Sequence, residues 1–215
     1  MNITRILATS VCVFFLSLGS QVSAQRTSIY NNPQATFDQA TDLYSKAQYA
    51  AAQVMFDKLA AGEKSNLQAG SEYYAAMCSS QLFHPDAMAR FENFVSSYPQ
   101  NVLVNSANFE LGKLALADKD YRKALANFDK VNINELSEDQ RYEFYFKSAY
   151  AYFKTDNLKK AKENFGQLID KPNKYNTPAN YYYAHIAYSQ KDYETALKHF
   201  DRVSTDETFK DVVNY

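Results

Sequence analysis

The protein has 215 residues, 23 basic and 24 acidic side chains, 18 Tyr, 15 Phe, 5 Gly, 2 Cys and no Trp. Phosphate-cradling loops need clustered glycines, because only Gly lets the backbone approach so closely. Gly19, Gly62, Gly70, Gly112 and Gly166 form neither GxGxxG nor GxxxxGKS/T, which excludes such loops, and a net charge of −1 leaves no basic face for nucleic acid.

The chain opens with Arg5, an apolar stretch from Ile6 to Leu18, and Val22-Ser23-Ala24. A short positive region, an apolar run and a small-residue site predict a secretory signal over 1–24, cleaved after Ala24. The apolar run is shorter than the ~20 residues of a membrane span. The mature chain is therefore expected to lack an integral span and to be exported, periplasmic or associated with the cell envelope. An uncleaved anchor is the alternative. Export would remove Cys12 and leave Cys78 as a single thiol, unable to form an internal disulfide. Cys78 lies among Tyr74, Ala75 and Met77, which predicts a buried, inert thiol.

A short segment, 25–32, leads into a repeat. Ala-x3-Phe recurs as Ala52/Phe56, Ala87/Phe91, Ala124/Phe128, Ala161/Phe165 and Ala196/Phe200. Three residues past each Phe stands Leu59, Phe94, Val131, Leu168 or Val203. Twelve before each Ala stands Ala40, Ala75, Gly112, Ala149 or Ala184. On a helix this spacing puts the Ala, the Phe and the following apolar residue on one face. The small residues allow two backbones to cross closely, and the Phe fills the space between one hairpin and the next.

This pattern resembles the tetratricopeptide repeat family, whose unit is a helix-turn-helix with a small residue at position 8, Ala at 20 and an aromatic at 24. The stretches Asp120–Phe128 and Asp192–Phe200 match it closely, and Pro99 falls at position 32, where the family often has Pro. No copy has the common Trp at position 4, and only Gly112 keeps Gly at position 8. The resemblance implies an all-α, right-handed superhelical solenoid. Its units are placed at 33–66, 68–101, 105–138, 142–175 and 177–210, with 211–215 opening a possible further repeat. Asn101, Asp120, Ser137 and Asp156 suit caps near helix starts, Ser137-Glu138-Asp139-Gln140 has the capping-box form, and Pro172 and Pro178 bracket the last join.

In this family the first helix of each unit lines the concave face. Carried over, positions 5, 9 and 12 give Phe109, Lys113, Phe146, Tyr150, Phe153, Tyr181, His185 and Tyr188 as candidate partner-binding residues. Unit two gives Glu72, Ala76 and Ser79 at these positions. The Lys and Asn that grip a partner's C-terminal carboxylate in some relatives are absent, so the implied partner is another peptide or protein held on an aromatic groove.

The three histidines, His84, His185 and His199, form no HExxH, and there is no GxSxG. No catalytic residue, metal site or cofactor is expected. His199, beside Phe200, is expected on the surface. Val212, Val213 and Tyr215 do not make a polar cap, which predicts either a longer repeat protein or self-association through the C-terminal hairpin. The resulting expectation is a non-catalytic interaction scaffold, similar to exported Gram-negative envelope repeat proteins. The alternatives are the helical part of a glycan-binding nutrient-uptake protein and the N-terminal interaction module of a longer envelope protein, including an enzyme.

Overall fold

The computed structural model describes residues 32–62 and 65–204. The expected signal (1–24), most of the 25–32 segment and the 211–215 stretch lie outside them. The described residues form α1 (Pro33–Ser45), α2 (Tyr49–Ala60), α3 (Gln68–Gln81), α4 (Ala87–Ser97), α5 (Val104–Ala117), α6 (Tyr121–Phe128), a 3-10 turn (Ile133–Glu135), α7 (Glu138–Lys154), α8 (Leu158–Gly166), α9 (Asn176–Ser189) and α10 (Tyr193–Val203). Successive helices pack on each other, and α5 also touches α7, the first helix of the following unit. This is an all-α tetratricopeptide-type solenoid built from five helical hairpins.

Every first helix stops in the same way. Ala47, Phe83, Lys119, Asp156 and Lys191 all have φ between 56° and 63°. The next residue's N–H returns to a carbonyl five residues back: Gln48 to Leu43, His84 to Ser79, Asp120 to Ala115, Asn157 to Tyr152 and Asp192 to Ala187. This is a Schellman closure, normally built on glycine because a left-handed backbone crowds any Cβ. Here it is built five times without one, so the scarcity of glycine extends even to helix ends.

Three of the five second helices, α6, α8 and α10, start on side-chain caps. Asp120, Asn157 and Asp192 accept from the N–H of Lys123, Lys160 and Thr195. Ser137 and Gln140 form the expected capping box at the start of α7. Asp156 is not a cap: it occupies the left-handed turn, and Asn157 takes the capping role. Asn101 accepts from Leu103 N–H at 2.9 Å in the turn before α5 instead of capping the helix.

The turns expose a shift of register in the second unit. In four units the left-handed residue lies seven after the position-8 residue and five before the position-20 alanine. Phe83 lies seven after Ala76 and only four before Ala87. The turn is one residue shorter, so Tyr73, Met77 and Ser80 hold the places assigned from sequence to Glu72, Ala76 and Ser79. Burial agrees: Tyr73 is buried, whereas Glu72 is half-buried and accepts from Tyr98 Oη at 2.8 Å.

The core is divided among the joints between units. Ala40, Ala52 and Phe56 meet Ala75 and Cys78; Tyr73, Phe91 and Phe94 meet Ala107 and Leu111. Phe109, Ala124 and Phe128 meet Leu136 and Phe144; Ala149, Ala161 and Phe165 meet Ala179 and Ile186. Large rings close the space between hairpins, and small residues let the helices approach. At Gly112 the approach is closest, since an added Cβ would collide with the Phe128 ring. Cys78 is fully buried, and burial pushes its thiol up to about 11, as suits an inert core thiol.

His199 is a correction to the surface expectation. It is buried, with Nδ1 2.7 Å from Asn180 Oδ1 and its ring 4.7 Å from Tyr183. Ala196, His199 and Val203 form the inward stripe of α10, at helical spacing.

Candidate functional site: the aromatic first-helix face

The face forms where α7 and α9 lie side by side. Both begin at well-defined turns: α7 at its capping box, and α9 after a loop held by asparagines. Asn173 and Asn176 donate to the Leu168 carbonyl, and Asn176 and Asn180 to that of Ile169. This anchoring fixes the start of α9 against the end of α8.

Phe146 stacks on Tyr175 at 4.9 Å and meets Phe165 edge-on at 5.9 Å. Tyr150 contacts Tyr182 at 5.6 Å and Tyr121 at 6.2 Å. Phe153 contacts Tyr182 at 5.4 Å and His185 at 5.7 Å. Tyr181 contacts His185 at 6.5 Å and Phe200 at 6.2 Å. Tyr188 stands 60% exposed, edge-on to Tyr193 at 5.5 Å. Phe146, Tyr150, Phe153, Tyr181 and His185 thus share one continuous ring network, and Tyr188 with Tyr193 forms a separate pair one turn further along α9. Phe146, Tyr150, Phe153 and Tyr181 are half-buried in it, and His185 and Tyr188 are open to solvent.

Phe109 does not join this face. It is 1% exposed and packs between Phe128 and Phe144, so a partner has no access to its ring. Lys113 lies over that ring at 5.2 Å. Its Nζ is 2.7 Å from Glu110 and 3.9 Å from Glu143, which in turn is 3.7 Å from Lys147. Next to the aromatic face, α5 and α7 therefore carry a charge-balanced and partly shielded quartet. Aromatic and ionic zones lie side by side, and a segment crossing both would meet rings first and paired charges next.

The hub of the network is Tyr182, which sequence spacing did not single out. It touches Phe146, Tyr150, Phe153, Phe165 and Tyr181. Burial, with Tyr150 and Tyr181 close by, raises its hydroxyl above the ordinary tyrosine value. It occupies position 6, which the family's concave positions skip. The available signal was Tyr74, which holds the same place in the corrected register of unit two.

Among the described residues, no group of three or more His, Cys, Asp or Glu could hold a metal ion, and no helix is long and apolar enough to cross a membrane.

The tetratricopeptide repeat family model matches residues 143–173, inside the fourth unit. Among solved structures, YrrB, described as a tetratricopeptide repeat protein with an unusual peptide-binding site, is similar with a TM-score of 0.67 at 18% identity, over 88% of this chain and 95% of that one. MamA from Desulfovibrio magneticus RS-1, residue 41 to its end, has a TM-score of 0.63 at 17% identity, over 81% and 97%. A second MamA structure from RS-1, a double mutant, has 0.65 at 18%, over 84% and 97%. No curated protein matches the sequence. One unit thus matches the tetratricopeptide repeat model, and the five helical hairpins of the described residues share the fold of tetratricopeptide repeat proteins.

Proposed function

We propose that this protein is a non-catalytic interaction scaffold that holds a peptide or protein segment along the first helices of units four and five, with Lys113 at the edge of the site. The observation that carries this reading is the graded exposure of one ring network. Tyr182 and Phe146 are anchored inward, His185 presents open surface at its rim, and Tyr188 stands exposed one turn beyond it on α9. Rigid aromatics give large contact area at low entropy cost, which is what a binding surface needs. The peptide-binding site named for YrrB, a protein of the same fold, supports a similar use here. The place of action is proposed as the cell envelope, on the strength of the signal pattern in residues 1–24.

Amide hydrogen exchange tests the binding reading. A peptide selected from a random library on the immobilised protein should slow exchange in α7 and α9 and leave α8 and α10 unchanged. Protection confined to the second helices would reject it. Fusing residues 1–24 to a reporter and fractionating a Gram-negative host tests export; a reporter retained in the cytoplasm would reject the envelope placement.

A further inference from the structure

The four inner joints show what normally covers a second helix. Phe56, Phe91, Phe128 and Phe165 are each buried to within 2% by the unit that follows. At position 21, Gln53 is buried and Met88, Leu125 and Lys162 are half-buried. On α10 the corresponding residues stand open: Leu197 is 64% exposed, Tyr193 at position 17 is 58% exposed, and Phe200 is only half-buried. Residues 193, 197 and 200 follow helical spacing, so they form one apolar stripe, with Tyr188 touching its end.

We propose that this stripe is an isologous docking surface, and that its occupant is α10 of a second copy of this chain. Charge supports that choice. Glu194 and Lys198 flank the stripe one turn apart, so an antiparallel pairing centred near Ala196 brings each Glu194 opposite the Lys198 of the other copy. A net charge of −1 also sets up no long-range repulsion between copies.

Head-to-tail stacking is disfavoured by the other end of the solenoid. At position 6, where Tyr74 and Tyr182 stack on the preceding Phe, α1 carries Asp38. Asp38 is exposed and bonded to Gln34 Nε2 at 2.8 Å, so α1 offers a polar pair instead of a ring to the Phe200 of a neighbour. Among the described residues the open face of α10 is apolar and the corresponding place on α1 is polar, which favours closure as a pair over growth into a filament.

The test is sedimentation equilibrium of the whole chain from about 1 to about 200 µM, since a single helix-pair contact is small and implies affinity on the order of micromolar. A monomer–dimer equilibrium is expected. Leu197→Asp should weaken it by roughly tenfold or more at unchanged melting temperature, because the side chain already faces water in the monomer. Glu194→Lys alone and Lys198→Glu alone should each weaken the dimer, and the double exchange should restore it. A monomer at every concentration overturns the proposal, as does a dimer indifferent to Leu197→Asp. Growth beyond a dimer would mean head-to-tail stacking and overturns it too. So would a chain that dimerises only after residues 205–215 are removed, since its own end would then be the occupant.

Discussion

The rings of Tyr182 and Phe165 lie 5.3 Å apart and within 9° of parallel, and three units earlier Tyr74 and Phe56 repeat the arrangement at 5.3 Å and 17°. In both pairs the first helix of one unit lays a tyrosine on the repeat phenylalanine of the unit before. The intervening units carry Glu110 and Lys147 at that place and use them in the charged quartet. At this position the described units two and five thus carry a tyrosine on the preceding phenylalanine, and units three and four carry paired charges.

Tyr182 should behave as a core residue and Tyr188 as a surface one. Truncating a well-packed aromatic costs about 3–5 kcal/mol when fully buried, and Tyr182→Ala, being half-buried, should cost roughly 2–3 kcal/mol in urea unfolding. Tyr188→Ala should leave stability within about 0.5 kcal/mol of the parent. Equal losses for the two would make Tyr188 part of the core.

Gly112 should not tolerate alanine. The added methyl would meet the Phe128 ring, which is itself locked among Phe109 and Phe144. Overpacking of this kind costs about 1–3 kcal/mol. Shrinking the ring in the same molecule, with Phe128→Leu added to Gly112→Ala, should recover part of the loss. Losses that simply add would mean the two positions do not collide.

The left-handed turns predict the opposite sign. Phe83 has φ 56° and is 93% exposed, so its side chain gives little packing while its Cβ strains the turn. Phe83→Gly should stabilise the protein by about 0.5–1 kcal/mol in chemical unfolding, even after glycine's entropy cost. A loss of stability would show that the phenyl ring makes contacts its exposure does not reveal.

Burial, with Arg202 and Lys198 nearby, lowers the pKa of His199 from the ordinary 6.5, opposed only by Asp170. The unfolded chain therefore takes up the proton first. The contribution of neutral His199 to stability is complete above about pH 6.5 and is lost as pH falls through the lower folded value. Asp86 and Asp192 are also shifted down, but from 3.8, so their effects come at more acid pH. His199→Gln should flatten the stability profile below about pH 6.5. An unchanged slope there would assign the pH dependence to other groups.

What the sequence conveyed depended on which helix carried the signal. Second helices were legible, because Ala-x3-Phe fixes their register directly. First helices were read by counting back through the turn, and the one-residue shortening before Ala87 hid Tyr73 behind Glu72. His199 was misjudged from its neighbour Phe200, although its spacing from Ala196 and Val203 places it on the inward stripe. Phe109 illustrates the limit of carrying a family's positions over: the same position 5 is core in unit three and half-buried in unit five, depending on which rings the next helix brings. Tyr182 was missed because position 6 gains its importance only when the preceding phenylalanine lies beneath it.

The central claim is that the rim of the ring network binds a partner segment. The most direct measurement is the affinity of a library-selected peptide for the parent and for the His185→Ala/Tyr188→Ala double variant, with melting temperatures recorded for both. The account predicts a loss of roughly tenfold or more in affinity with the melting temperature essentially unchanged. Unchanged affinity, or a loss that merely follows unfolding, would contradict it.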